Sequence, residues 1–166
     1  MKKHLFLICP TDNLEVIINR TFKEDNYYFT SLANTIMFDV DQVGLLTSFI
    51  ETKQISEVTF ILSDDNKIIE EALFCKDYTD NKFLKKFYLY IKTQNKRFRF
   101  LTEKQNPTST ISSYYLNDKV KKLTNELSSL WFSHKITVNA KIYKRKKNRF
   151  YKTSFDTFYR DYFYLN

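Results

Sequence analysis

Ser63, Asp64, Asp65 and Asn66 stand together where an apolar run, Val58–Leu62, gives way to polar residues. A hydroxyl, two carboxylates and an amide in that order could hold a hard cation, but they serve more often as solvated helix caps. No His or Cys lies among them, so the cluster has no soft metal ligand and no nucleophile–base pair. Cys9 closes a second apolar run, Leu5–Cys9, and Asp12 follows it. A thiol beside a helix start can be reactive, because the helix N-terminus lowers its pKa. Asp12 and Glu15 oppose that effect and favour a buried, inert Cys9. His4 and His134 each adjoin a Lys and have no acid or nucleophile at a telling spacing. They read as surface or edge residues.

The strongest positive signal is basic. The run 141–152 sets Lys141, Lys144, Arg145, Lys146, Lys147, Arg149 and Lys152 around a turn, with Tyr143, Phe150 and Tyr151 interleaved. Cations neutralise phosphates and aromatic faces stack on bases, so this composition suits RNA or single-stranded DNA. A solvated hairpin tip, or a dock for an acidic protein surface, would use the same residues. Lys92, Lys96, Arg97 and Arg99 are candidates to extend the basic face. No RNP, KH or helix-turn-helix signature accompanies the run.

The elements that must position these residues alternate. Leu5–Cys9 reads as a strand, and Asp12-x-x-Glu15 as a capping box opening a helix to about Phe22. Tyr27–Leu32 is a second strand, followed by a connection, Ala33–Asp39. Val40–Lys53 is an amphipathic helix through Val43, Leu46, Phe49 and Ile50. Glu57–Leu62 is a third strand and Asp65–Phe74 a helix capped by Asp64 or Asp65. Such β-α alternation predicts a parallel sheet with helices on both faces. A helix from Thr79 or Asp80 carries Phe83, Leu84, Phe87, Tyr88 and Ile91. Gln94–Thr110 reads as an exposed loop, with a short extended piece at Phe98–Leu101. Asn117 caps a helix through Val120, Leu123, Leu127, Leu130 and Trp131. Ile136–Tyr143 is a strand, Asn148 a turn, and Arg149–Thr153 an antiparallel return. The aromatic tail Ser154–Asn166 is expected to pack.

The 166 residues fit one domain, 1–166, with ample core volume from 16 Phe, 12 Tyr and 1 Trp. A single Gly rules out the Gly-rich phosphate loops of P-loop and dinucleotide-binding proteins. Two Cys without CxxC spacing argue against a disulfide framework or a Cys-rich zinc module. The basic N-terminus leads into an apolar run too short for a signal peptide, and no stretch approaches a membrane span. A cytoplasmic setting follows as the expectation. Residues 1–80 carry net −7 and residues 81–166 net +15. That asymmetry fits attraction between halves of one molecule or of two copies, or a polyanion partner.

In element order the chain resembles the β-class carbonic anhydrases. That family has a strand ending in C-x-D-x-R, a strand with R-N-A-G-N, a strand ending in H-x-x-C before a helix, and a closing V-x-G-x-x-Y-D-x-x-T-G-x-V. Ile8-Cys9-Pro10-Thr11-Asp12 takes the first place, with Asp12 one residue further from Cys9. Ser31-Leu32-Ala33-Asn34-Thr35 takes the second and matches at Ala33. Ser63 stands at the zinc His and Asn66 at the second zinc Cys. Val138, Ala140, Tyr143, Asn148 and Phe150 match the closing segment in kind, Asn148 tolerating the left-handed conformation of a turn Gly.

The resemblance implies a three-layer α/β fold. Its mainly parallel four-stranded sheet has the order 2-1-3-4, with an antiparallel C-terminal edge strand. It further implies a vestigial pocket at Cys9, Asp12, Ser63, Asp64 and Asn66, with no catalytic residues, metal or other cofactor, and a homo-oligomer. The expected function is a non-catalytic binding or scaffold protein. The alternatives are a nucleic-acid-binding protein using the basic hairpin, and an enzyme with an unfamiliar site near Cys9, Asp12 and Asp64.

Overall fold

The computed structural model describes residues 2–74, 82–97, 107–128 and 136–153. The apolar runs form the centre of a five-stranded sheet in the order β2-β1-β3-β4-β5. Its strands are β1 (Lys3–Ile8), β2 (Asp25–Thr30), β3 (Glu57–Ser63), β4 (Thr137–Lys144) and β5 (Arg149–Lys152). The first four are parallel and β5 is antiparallel to β4. This is the expected 2-1-3-4 order with its antiparallel edge.

β1 and β3 read as nearly unbroken apolar runs because both of their faces are covered. Leu5, Leu7, Cys9, Val58, Phe60, Leu62, Ala140 and Ile142 enter one core. Phe6, Ile8, Ile61 and Tyr143, on the alternate positions, enter the other. Four helices cover the first face: α2 (Val40–Lys53), α3 (Lys67–Phe74), α4 (Lys82–Arg97) and α5 (Pro107–Glu126). α1 (Glu15–Thr21) covers the second through Ile18, beside Leu14. Helices therefore lie on both faces. Fully buried Phe6 and Phe60 each contribute roughly 1.5–3 kcal/mol by leaving water. Among the described residues no helix is long and apolar enough to cross a membrane.

α2 has the expected limits. The Asp39 side chain accepts from Gln42 N at 2.8 Å, and Gln54 stops the helix in the left-handed region. Elsewhere the boundaries differ from expectation. Asp12 does not open a capping box, since Pro10–Asp12 forms a 3-10 turn and α1 begins after Leu14 without a side-chain cap. α3 is capped by Asn66, whose Oδ1 accepts from Ile69 N at 3.0 Å, and not by Asp64 or Asp65. The expected loop 94–110 is trimmed at both ends, because α4 runs to Arg97 and α5 starts at Pro107. Proline suits that first position because it has no N–H to leave unpaired there.

Asn117 is buried inside α5, where its Oδ1 accepts from Thr153 Oγ1 at 2.6 Å. Asn148 makes the expected left-handed turn at φ 48°, and its side chain accepts from the Tyr143 hydroxyl at 2.6 Å. Several expectations fall outside the described residues: a helix start at Thr79 or Asp80, the piece at Phe98–Leu101, Leu130, Trp131 and His134, and the tail Ser154–Asn166.

Candidate functional site

The parallel pairing of β1 with β3 brings their carboxyl ends side by side, the usual place for ligands in open α/β sheets. Four of the five residues expected to form a pocket meet there: Cys9, Asp12, Ser63 and Asn66, all buried. Asp12 is the hub. Its Oδ2 accepts from Ser63 N and its Oδ1 from Asn66 Nδ2, both at 2.9 Å. Burial pushes the Asp12 carboxyl up to about 6, against the pull of these two hydrogen bonds and of Arg145. Asn66 uses its two ends on Asp12 and on the start of α3. Cys9 Sγ lies 3.0 Å from Thr11 Oγ1 and accepts from Ala33 N at 3.1 Å.

Ala33 and Asn34 are consecutive non-glycine residues with φ of 46° and 55°, a strained pair that the surroundings must hold. Asn34 Nδ2 donates to Ile61 O at 2.9 Å, while its buried Oδ1 has no partner among the described residues.

Asp64 sits at the rim and receives Arg145 N at 3.1 Å. Asp65 takes the Ser63 hydroxyl and pairs with the Arg145 guanidinium, Nε to Oδ2, at 2.9 Å. Burial raises the Asp65 carboxyl, but the Ser63 and Arg145 hydrogen bonds outweigh it and leave the group below its ordinary value. Arg145 Nη2 also reaches Asp12 O at 3.1 Å. Arg145 and Asp65 thus belong to this cluster, although in the sequence Arg145 reads as part of a polyanion surface and Asp65 as a helix cap.

A catalytic zinc needs three good protein ligands and an open position. Here Cys9 is the one soft donor, and the polar ends of Asp12, Ser63 and Asn66 are engaged with protein partners. Among the described residues no three His, Cys, Asp or Glu side chains are grouped to hold a metal ion. This donor set does not fit a catalytic zinc.

The basic hairpin is divided. Lys144 pairs with Arg149 and Lys141 with Lys152 across β4 and β5, and strand pleating sends these two pairs to opposite faces of the sheet. Lys144 and Lys147 lie over the Tyr151 ring, 5.0 and 6.0 Å from its centroid. Lys141 lies over Phe22 at 4.4 Å, and Lys146 is exposed in the turn. Lys92 and Lys96 are on α4, which packs on α3 and α5, while the side chains of Arg97 and Arg99 fall outside the described set.

His4 was expected at a surface or edge and is instead buried. Thr59 donates to Asn139 Oδ1 at 2.8 Å, so its oxygen accepts the 2.7 Å bond from His4 Nε2–H. Asn139 Nδ2 continues to Glu57 Oε1 at 2.7 Å, and Lys2 Nζ closes on Glu57 Oε2 at 2.8 Å. Burial raises the Glu57 carboxyl, but hydrogen bonds from Lys2 and Asn139 and the nearby positive charge outweigh it and bring the group down to about 2. Among the described residues His4 Nδ1 has no hydrogen-bond partner, and Glu24 Oε2 is 3.5 Å away.

No protein-family model matches the chain, and no curated protein matches it significantly. Solved structures do. A tetrameric β-carbonic anhydrase of the ascomycete Sordaria macrospora superposes with a TM-score of 0.73 at 13% identity, covering 91% of this chain and 80% of that one. One from Aspergillus fumigatus gives 0.74 at 14% identity, over 91% and 74%. The Coccomyxa β-carbonic anhydrase, in complex with acetazolamide, gives 0.67 at 10% identity, over 91% and 71%. Strand order, helix placement and these superpositions agree: this chain has the fold of the β-carbonic anhydrases.

Proposed function

We propose that the chain is a non-catalytic binding or scaffold protein on a β-carbonic anhydrase fold whose zinc site has been lost. The observation that carries this reading is the Asp12 carboxylate, turned inward onto Ser63 N–H and the Asn66 amide. A buried carboxylate held by two donors is a structural tie, and Ser63 and Asn66 are poor zinc ligands. The test is metal analysis of protein purified from zinc-supplemented cells, with a CO2-hydration assay. Substoichiometric zinc and no hydration above background are expected. Stoichiometric zinc that Cys9→Ser removes would overturn the reading.

Self-association belongs to the same proposal. β2 is an edge strand, and it and neighbouring α2 expose Phe29, Val40, Leu45 and Phe49 (Val40 at 88%, Leu45 at 73%). An apolar strip along a strand edge that is unpaired among the described residues is a surface that a second copy can cover, and the Sordaria protein is a tetrameric β-carbonic anhydrase. Sedimentation should show a dimer or larger, shifted toward monomer by Leu45→Glu. A monomer at all concentrations would refute self-association. A cytoplasmic setting is part of the proposal, and localisation of a tagged chain tests it.

A further inference from the structure

Apart from the Cys9–Asn66 cluster, an open groove of about 640 Å³ runs between residues 35–39, α4 and α5. That volume lies in the range of small-molecule sites. Its walls are Ile36, Met37 and Phe38 from the connection, Phe87 and Tyr90 from α4, and Tyr115 from α5. Tyr115 meets Phe87 and Tyr90 edge-on, at centroid distances of 5.1 and 5.6 Å. Its hydroxyl donates to Asn34 O at 2.8 Å, so the aromatic wall is anchored to the turn that follows β2.

One half-buried cation enters this apolar wall. Lys119 Nζ donates to Ile36 O at 2.6 Å and lies 5.1 Å from the Phe38 centroid and 5.4 Å from that of Tyr115. The adjacent carboxylate, Asp118, is paired instead with Lys122 at 2.9 Å. No other described carboxylate forms an ion pair with Lys119. Burial, helped by the nearby Lys122 charge and only partly offset by Asp118, lowers its ammonium to about 8. Two of its three N–H donors have no hydrogen-bond partner among the described residues.

We infer that this groove binds a small monocarboxylate bearing an apolar chain or ring, its carboxylate on Lys119 and its body against Phe38, Phe87, Tyr90 and Tyr115. A half-buried ammonium that spends one N–H on Ile36 O and sits against the Phe38 and Tyr115 rings matches one carboxylate on an apolar body. Asp39, Asp118 and Glu126 also line the groove and disfavour a multiply charged anion. The inference gives the binding-protein reading a ligand and rests on it only in that sense. Stoichiometric zinc would sink that reading and leave this one standing.

The experiment is titration calorimetry of the full chain near neutral pH with octanoate, 1-octanol and octylammonium. Octanoate is expected to bind, with the other two roughly ten-fold weaker or more, the effect of losing a charge-assisted hydrogen bond. Lys119→Met, which keeps the apolar stem, should abolish the preference for octanoate without lowering the unfolding temperature, and Lys119→Arg should retain it. Raising the pH through about 8 should weaken octanoate and leave 1-octanol unchanged. The other titratable groups around the groove are Asp39, Lys86 and Tyr90, and Tyr115, Asp118, Lys122 and Glu126 on α5. Lys86→Met and Lys122→Met should leave the pH step in place. If Lys119→Met does not fold, the head-group preference and pH step of the unaltered chain decide. Equal binding of octanoate and 1-octanol, octanoate binding unchanged in a folded Lys119→Met, or no octanoate binding would each overturn the inference.

Discussion

The Asp12 carboxylate and the Asn66 side-chain amide meet at 2.9 Å across the carboxyl ends of β1 and β3. The same Asn66 starts α3 through Ile69 N. One amide therefore links the first strand, the third strand and the helix after it. Its removal should be felt in all three.

Asn66→Ala loses a helix cap and leaves a buried Asp12 oxygen unpaired, a cost of about 2–4 kcal/mol. Asn66→Asp keeps a capping oxygen but sets a second carboxylate against Asp12. Its destabilisation should shrink as the pH falls below about 6, where Asp12 takes up a proton. Urea unfolding at neutral and mildly acidic pH measures both. A pH-independent loss in Asn66→Asp would contradict the account.

The Asp12 carboxyl stands at about 6 in the fold against an ordinary value of 3.8. Between those values the native state binds more protons than the unfolded chain. The stabilisation from this group is present below 3.8 and is lost as the pH rises through about 6. Carbon-13 NMR of the side-chain carboxyl should show the midpoint near 6. A midpoint at or below the ordinary value would refute it.

His4 acts in the opposite sense. Burial is the largest influence on it and holds its pKa below the ordinary 6.5, so its contribution is present above 6.5 and declines as the pH falls toward the folded value. Thr59→Val removes the hydroxyl that joins His4 Nε2–H to Asn139 Oδ1. The buried His4 Nε2–H is then unpaired, at a cost of about 1–3 kcal/mol, and the half-buried Asn139 Oδ1 loses the same partner. Thermal unfolding across mildly acidic pH, with and without the substitution, checks the sign and the size.

Gly44 lies inside α2 and a Cβ built there meets nothing within 4 Å. Gly44→Ala should stabilise the protein by about 0.5–1 kcal/mol through the lower backbone entropy of the unfolded chain. Chemical denaturation that shows a loss would mean the position is not open.

The strand-turn-helix at Glu57–Phe74 and the limits of α2 could be read directly, because their apolar spacing has one solution. The cap of α3 could not. Asp64, Asp65 and Asn66 are all good capping residues, and the choice falls to Asn66 when Asp12 arrives from another strand. Arg145 was read with its basic neighbours because its partner Asp65 lies 80 residues away, and only the pairing of β3 with β4 joins them. The end of α4 is not legible in the sequence, because Gln94–Arg97 are polar and carry no apolar period. The burial of His4 has no local sign in the sequence, because its partners Thr59 and Asn139 come from two other strands.

The strand order also governs when the sheet can close as the chain is made. Once residue 74 has emerged, β1, β2, β3 and the Asp12–Asn66 tie can all form, and α3 can begin. The far edge of β3 still offers a bare ladder of N–H and C=O groups. That edge is covered only after the basic second half has emerged and laid β4 along it, with Arg145 crossing to Asp64 and Asp65. The seam between β3 and β4 is thus where the acidic first half and the basic second half meet, with Arg145 paired to Asp65 across it.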